Sequence, residues 1–363
     1  MRILYDGEIY VSQTAGGISR YFSSIISRLP KDFIPTLTTA ATREINYPKH
    51  PNLRTFFYPR HGFRPGRLSY WLEQYYFRAV TCRNYDLIHP TYYWMLTRQP
   101  MSRYQLPIVI TVHDMVHEKF SKDIDPDHYV INEKRKAITS SDAIICVSEN
   151  TKKDLLELYP ALECQTTVIY HASEIDITMS YGKEPIPARP YYLYVGSRFG
   201  YKNFKTLLTG FAQAISQAPD LSLCVVGSPF NHNEQKLLSE LSLHPYVEQI
   251  SYPSDQHLAK LYRCSLGFVY PSRYEGFGIP LLEAMSCGAP VIAANTSSIP
   301  EVVQDAGALF NPGSAEDLAE RLLFLVNHPS AREVLIEKGY SRASDFSWDR
   351  AVAQTVEVYE KLL

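Results

Sequence analysis

No stretch of this sequence stays apolar for the ~18 residues that a membrane-crossing helix needs, and no two of its cysteines form a C-x-x-C pair. Charge of one sign is missing as well: 36 Lys and Arg stand against 38 Asp and Glu, a net charge of -2. That balance argues against a dedicated nucleic-acid binder, which must neutralise phosphates, so no nucleic-acid partner is expected. Several of the six cysteines sit inside apolar stretches, as in Ile144-Ile145-Cys146-Val147 and Leu223-Cys224-Val225-Val226. They read as reduced core thiols of a cytoplasmic protein. Met1 to Gly7 turns polar after a few residues and lacks the apolar core of a signal peptide, so it reads as a first strand. No short-period repeat is visible, which argues against a solenoid.

What is present is an ordinary globular composition, 45% hydrophobic and 20% charged over 363 residues, a length that suggests two domains. Tyrosine is abundant, with 27 copies; an apolar body with a polar tip suits sugar recognition. Short strand-like runs alternate with helical stretches, the pattern of parallel α/β architecture. In the first half, strands are expected at 2–5, 87–89, 108–112, 143–147 and 167–169, with helices at 18–29, 68–83, 127–140 and 150–159. In the second half, strands are expected at 192–195, 221–226, 247–250, 266–270 and 290–293. Residues 181–190 hold three prolines, which interrupt both strand and helix. The expected division is therefore a first domain over 1–180, a linker at 181–190, a second domain over 191–345 and a last helical segment over 346–363. In such folds ligands bind beyond the carboxyl ends of the strands, and two facing sheet edges make one shared cleft.

The most informative segment follows the strand ending near Tyr270. A loop with Glu275, Gly276, Phe277 and Gly278 leads into a short helix at Ile279-Pro280, and Gly288 with Pro290 ends it. Amides at Gly278 and Ile279, together with the helix dipole, attract phosphate oxygens. Glu275 lies in the loop and Glu283 about one turn into the helix, so the two carboxylates can address different parts of one ligand. Each can accept from adjacent hydroxyls of a sugar or ribose. The alternative is a capping glutamate followed by a surface glutamate.

The setting E-G-F-G-I-P-L-L-E-A-M-S-C-G-A-P-V-I resembles the E-x7-E region of family 4 glycosyltransferases. The likeness continues through Ser297-Ser-Ile-Pro-Glu301, Gly307-Ala-Leu-Phe-Asn-Pro and Phe346-Ser-Trp348. It implies the GT-B fold, two Rossmann-like parallel-sheet lobes, and transfer with retention of anomeric configuration. It also implies that Glu275 faces the transferred sugar and that Glu283 holds the ribose hydroxyls. Gly196-Ser197-Arg198-Phe-Gly-Tyr-Lys202 resembles the family's G-R-x-x-x-x-K segment, whose two cations clamp the diphosphate. Lys202 falls six residues after Gly196 as in the family, whereas Arg198 lies two after it and Ser197 fills the usual slot. A solvated surface pair is the alternative.

In the first half, Ala15-Gly16-Gly17-Ile18 resembles the family's G-G loop beside the donor phosphates. His113, beyond a β-branched run, resembles the family histidine that contacts the donor sugar; a strand-end histidine bonded to backbone is the alternative. His113 and His117 have helix-ligand spacing but lack the glutamate and third ligand of a metal site. Asp123-Ile-Asp125-Pro-Asp127 reads as a solvated loop and helix cap rather than a metal motif, so no metal and no cofactor are expected. His89 reads as structural. Over 60–83, Arg60, Arg64, Arg67, Arg78 and Arg83 interleave with Tyr70, Trp71, Tyr75, Tyr76 and Phe77. A helix using its aromatics in the core and one resting on an anionic membrane surface both fit. The last helix resembles the family's C-terminal segment, which crosses back onto the first lobe, and presents Val352, Val356, Tyr359 and Leu363 at helical spacing.

The resemblance implies a nucleotide-diphosphate sugar donor, GDP- or UDP-linked, and a glycan or lipid-linked glycan acceptor. The likeness of Gly-Gly-Ile-Ser-Arg-Tyr-Phe to bacterial polysaccharide mannosyltransferases favours GDP-mannose. An epimerase on the same fold and a non-catalytic sugar-nucleotide binder are the rival readings.

Overall fold

A computed structural model describes residues 1–13, 16–40, 47–59 and 66–363; Ala15, Arg60 and Arg64 lie outside them. The chain divides into two compact units, Met1–His171 with Trp348–Leu363, and Ala172–Ser347.

In the first unit, β1 (Arg2–Asp6), β2 (Ile34–Ala40), β3 (Arg54–Tyr58) and β4 (Leu87–Ile88) form a parallel sheet in the order β3-β2-β1-β4. A second sheet takes β5 (Val109–Val112), β6 (Ala143–Cys146) and β7 (Thr166–Val168) in sequence, and a parallel bridge between Ile88 and Ile108 connects the two. All four residues of β5 and of β6 are buried, as expected for parallel strands covered on both faces. The helix Trp348–Glu360 belongs to this unit. Its buried face is Ala351, Val352, Thr355, Val358 and Tyr359, while Val356 is half-buried and Leu363 exposed. The stripe is thus rotated from the expected one, because Thr355 enters the core by donating its hydroxyl to the Ala351 carbonyl at 2.7 Å.

A buried polar chain fixes that helix. The Tyr359 hydroxyl lies 3.0 Å from the Tyr5 hydroxyl and 2.6 Å from His89 Nδ1, and His89 Nε2 lies 2.9 Å from Thr111 Oγ1. Burial lowers the His89 pKa to about 3, so the ring is neutral, with one nitrogen donating and the other accepting. His89 is structural. Tyr359→Phe leaves both partners unsatisfied in an apolar setting and is expected to cost roughly 1–3 kcal/mol, read as a lower melting temperature with the far-UV spectrum unchanged. An unshifted melt would show that the chain contributes nothing.

The second unit is one six-stranded parallel sheet of β8 (Tyr191–Val195), β9 (Ser222–Val226), β10 (Val247–Ile250), β11 (Gly267–Tyr270), β12 (Val291–Ala294) and β13 (Gly307–Phe310). Its order, β10-β9-β8-β11-β12-β13, reverses direction between β8 and β11, and at such a switch point the loops after the strands diverge and leave room for a ligand. Three of the tyrosines fill β8. Tyr191, Tyr192 and Tyr194 are buried, and their hydroxyls donate to the carbonyls of Leu261, Leu322 and Ser197 at 2.8, 2.5 and 2.5 Å. Here tyrosine is a core residue with a satisfied tip.

The proline-rich stretch at 181–190 lies inside this unit instead of between the two. Lys260 Nζ donates to the carbonyls of Gly182 and Glu184 at 2.9 and 2.6 Å, and His257 Nε2 meets that of Pro185 at 2.8 Å. A chain kept out of sheet and helix by its prolines offers its carbonyls, and the helix Asp255–Cys264 takes them up. Of the aromatics at 66–83, Phe77 is buried, whereas Tyr70, Trp71 and Tyr75 are exposed and Trp71 stacks on Tyr75 at 5.7 Å. The helix Gly66–Thr81 therefore puts only part of its aromatic set into the core.

Candidate active site

The loop after β11 is shaped by two local requirements. Pro271 removes the donor needed to extend the strand. Gly278 then sits at φ +103°, where a Cβ would meet Leu281 Cδ1 at 2.9 Å, so only glycine turns here without strain. The helix Ile279–Ser286 follows, with Pro280 in its first turn. Gly278 caps it without a side chain, and the amides of Gly278 and Ile279 donate to nothing among the described residues. Two serines brace the loop from the turn after β12. Ser297 Oγ accepts from the Glu275 amide at 3.0 Å, and Ser298 Oγ donates to the carbonyls of Glu275 and Phe277 at 2.9 and 3.1 Å.

Lys202 reaches this loop from the short 3-10 turn Gly200–Lys202, which the Arg273 amide anchors by donating to the Tyr201 carbonyl at 2.8 Å. Its Nζ lies 2.7 Å from Glu275 Oε1, with the side chains 18% and 11% exposed, so water screens the pair only in part. The Tyr270 ring lies 6.0 Å from the ammonium. Burial and then the facing Glu275 carboxylate hold its phenol well above the ordinary pKa. Glu283, on the helix, is buried and accepts from the Tyr262 hydroxyl at 3.1 Å through Oε2. Phe277 is buried with its ring 5.7 Å from Phe346. Glu275, Gly276, Phe277, Gly278, Ile279, Glu283 and Lys202 thus occupy one loop-and-helix assembly.

Arg198 has other partners. Its guanidinium, 3% exposed, pairs with Glu234 at 2.8 Å and donates to the carbonyls of Ser228 and Pro229 at 2.8 and 3.0 Å. The rings of Phe230 and Phe204 lie 4.9 and 5.6 Å from it. The spacing from Gly196 had grouped it with Lys202; the structure gives the two cations separate carboxylates. Ser197, in the slot where the family carries arginine, is exposed.

In the first unit, Gly16 is the N-cap of the helix Gly17–Ser27 at φ -177°, ordinary extended backbone, and its carbonyl accepts from the Arg20 amide at 3.2 Å. His113 follows β5, stacked 5.9 Å from His171 and edge-on to Tyr21 at 5.2 Å. Burial lowers its pKa to about 3, and its Nε2 has no partner among the described residues. Asp125 is buried, not solvated, and caps the helix Tyr129–Thr139 by accepting from the amides of Tyr129 and Ile131, each at 2.9 Å. Among the described residues no cluster of three His, Cys, Asp or Glu is placed to hold a metal, and no helix is long and apolar enough to cross a membrane.

Two amides without an acceptor among the described residues, the Lys202–Glu275 pair and the buried Glu283 therefore share one loop-and-helix assembly. Comparison with known proteins gives that site a family. The family model for glycosyl transferases group 1 matches residues 181–342, and that for glycosyltransferase family 4 matches residues 15–176. The chain belongs to the family 4 glycosyltransferases. This transferase is 30% identical over 250 residues to the O-antigen chain mannosyltransferase B of Escherichia coli, a match covering 66% of this chain and 65% of that one. The chain so spans just under two thirds of that relative. Sucrose-phosphate synthase from Thermosynechococcus elongatus superposes with a TM-score of 0.78 at 21% identity, covering 99% of this chain and 98% of the other. Anabaena HepE in complex with UDP and glucose gives 0.76 at 19%, covering all of both chains. These structural likenesses make the fold of the transferase GT-B.

Sequence reasoning did not single out Tyr262, Tyr270 or Ser298 in this glycosyltransferase. Tyr262 and Ser298 reach the site from the helix Asp255–Cys264 and from the turn after β12, whereas Tyr270 ends β11 itself, just before the loop. Ser298 had a signal, since it lies inside the Ser297-to-Glu301 stretch that resembles the family.

Proposed function

We propose that this glycosyltransferase moves a hexosyl group, mannose from GDP-mannose, to a hydroxyl of a glycan or lipid-linked glycan with retention of configuration and without a metal ion. The observation that carries the reading is the pair of unpartnered amides at Gly278 and Ile279, opening a helix next to the Lys202–Glu275 pair. Such a helix start holds a phosphate, and a fixed cation beside it neutralises charge as the diphosphate departs. In this reading Glu275 orients the sugar, Glu283 takes the ribose hydroxyls, and Arg198 braces the loop that delivers Lys202. His113 and the Gly16–Gly17 turn make the sugar- and phosphate-side contacts that the family resemblance implies. The bond from the sugar's C1 to the phosphate oxygen breaks, the acceptor oxygen bonds to C1 on the same face, and the leaving phosphate takes the acceptor's proton. No protein nucleophile is needed.

Mannose is supported by the match to the E. coli mannosyltransferase, and a UDP-sugar is the second reading, favoured by the complex of HepE with UDP and glucose. Melting temperature decides between them, because a ligand held only by the native state at 100 times its Kd adds about 2.7 kcal/mol of stability. GDP is expected to raise the melting temperature and UDP to leave it nearly unchanged; the reverse order removes mannose from GDP-mannose. Turnover is expected to survive EDTA, and a sharp loss would sink the metal-free mechanism. Release of an altered nucleotide sugar without acceptor would establish the epimerase instead.

A lipid-linked acceptor is supported by the helix Gly66–Thr81, whose Leu68, Tyr70, Trp71 and Tyr75 are all exposed near Arg67. Interfacial aromatics beside a cation favour an anionic surface. The enzyme is expected to sediment with phosphatidylglycerol vesicles, and Trp71→Ser with Tyr75→Ser to weaken this severalfold. Undiminished binding of the double variant would remove this helix as the contact.

A further inference from the structure

Glu283, the proposed ribose contact, is not a carboxylate that simply faces solvent. It stands on the short helix Ile279–Ser286 among Leu281, Leu282, Ala284 and Met285, all buried, and is itself 8% exposed. A carboxylate withdrawn from water this far needs hydrogen-bond donors from the protein or from what it binds. Its side chain also turns about several bonds, so burial alone does not set the plane of its two oxygens.

The donor that reaches Oε2 is the Tyr262 hydroxyl, at 3.1 Å. Tyr262 comes from another helix, Asp255–Cys264, and is held by ring and backbone alike. The ring is fully buried and stands edge-on to Phe268 of β11 at 5.2 Å and 78°, a favoured arrangement for two aromatic rings. The Tyr262 carbonyl accepts from the amide and the hydroxyl of Ser265 at 3.1 and 2.8 Å. The carbonyl before it, that of Leu261, accepts from the Tyr191 hydroxyl at 2.8 Å. Ring and helix end are thus tied to β11 and β8, and the phenol oxygen has a set place. Phenylalanine would fill the same space against Phe268. What tyrosine adds is a donor directed at Glu283.

We propose that Tyr262 is a positioning residue that gives the donor site its preference for ribonucleotides over 2′-deoxyribonucleotides. The proposal rests on the reading of Glu283 as the ribose contact, and Tyr262 acts only through that side chain. Its bond uses one of the roughly four acceptor positions of the carboxylate and fixes the plane of the rest. Two adjacent ribose hydroxyls can donate side by side to a carboxylate held in that plane. A 2′-deoxy ring withdraws one of the two donors from a carboxylate already aligned and desolvated. The loss is large where the acceptor cannot turn to find another partner. Without the phenol the carboxylate is free to turn, and the two kinds of nucleotide become more nearly alike to it.

Calorimetric titration of the full chain with GDP and with 2′-deoxy-GDP tests this, or with UDP and 2′-deoxy-UDP where UDP is the nucleotide that raises the melting temperature. The wild-type enzyme is expected to bind the ribonucleotide at least about tenfold more tightly, the effect of one hydrogen bond to a charged group. Tyr262→Phe is expected to reduce that ratio to about threefold or less, through weaker binding of the ribonucleotide, with the deoxynucleotide Kd within about twofold of wild type. Because the ratio compares two ligands on one protein, a smaller folded fraction weakens both alike and leaves it unchanged. A role confined to packing would not move it. Glu283→Ala is expected to lose the preference as well, and adding Tyr262→Phe to it to change the ratio no further. A wild-type ratio in Tyr262→Phe, equal weakening of both nucleotides, or a further fall in the double variant would overturn the proposal, and Glu283 keeps its ribose role if Glu283→Ala alone loses the preference. Equal affinities in the wild type, or a wild-type preference in Glu283→Ala, would instead show the ribose reading itself to be wrong, and the proposal would fall with it.

Discussion

Lys202→Ala is expected to lower kcat by roughly 10²–10³, or about 2.7–4 kcal/mol of transition-state stabilisation, the range found when one preorganised charge-stabilising group is removed. Charge on the diphosphate grows as the glycosidic bond breaks, so an ammonium held there contributes more at the transition state than in the ground state. Lys202 is preorganised for this by its 2.7 Å contact with Glu275 and by the rings of Tyr201 and Tyr270 at 5.1 and 6.0 Å. Removing it also leaves the Glu275 carboxylate, 11% exposed, without its cation beside an anionic ligand. KM should therefore rise as kcat falls. Adding Glu275→Gln to Lys202→Ala is expected to return part of the KM and none of the kcat, which separates repulsion in the ground state from lost stabilisation in the transition state. Near-normal turnover by Lys202→Ala would remove it from the reaction.

The strands of both units were legible wherever apolar residues ran together between turns. Ala143–Cys146 and Gly267–Tyr270 lie within the expected spans. The strand Ile34–Ala40 escaped because it reads as polar, with one proline and three threonines. Burial of those threonines depends on partners distant in sequence: Thr38 Oγ1 receives the Gly7 amide at 3.3 Å and donates to Asp6 at 3.4 Å. Arg54–Tyr58 and Gly307–Phe310, though rich in apolar residues, are edge strands that bury at most one residue completely, and pairing with β2 and β12 is what makes them strands. At the site, glycine and proline placement revealed the Gly278 turn, because the constraint is local. The partner of Arg198 was not legible: Glu234 lies 36 residues further on, and nothing in the spacing from Gly196 says which carboxylate a flexible cation will meet. Lys202 and Glu275, 73 residues apart, were grouped only through the family resemblance. Geometry then put them in contact.

Lys134→Ala should destabilise the first unit by roughly 3–5 kcal/mol, the cost of breaking a buried ion pair from one side. Nothing in the helical pattern of Tyr129–Thr139 marks this lysine, yet it is fully buried. Its Nζ donates to Glu118 Oε2 at 2.8 Å and to the Asp114 carbonyl at 3.0 Å, with the Tyr93 ring at 5.1 Å. Truncation strands the Glu118 carboxylate, 10% exposed, and frees the turn that carries His113. Because the penalty is that of an orphaned charge more than of a lost attraction, Lys134→Met with Glu118→Gln should be more stable than Lys134→Ala alone by at least about 1 kcal/mol. Denaturant melts of the two variants measure the difference. A Lys134→Ala chain melting with wild type would mean that Glu118 finds another partner, and a double variant no better than the single would mean that the attraction itself holds the turn. The same lysine constrains activity through the backbone: with the Asp114 carbonyl released, the residue next to it, His113, loses its fixed place after β5. If His113 has the role proposed for it, turnover should fall in Lys134→Met/Glu118→Gln even where stability is largely regained.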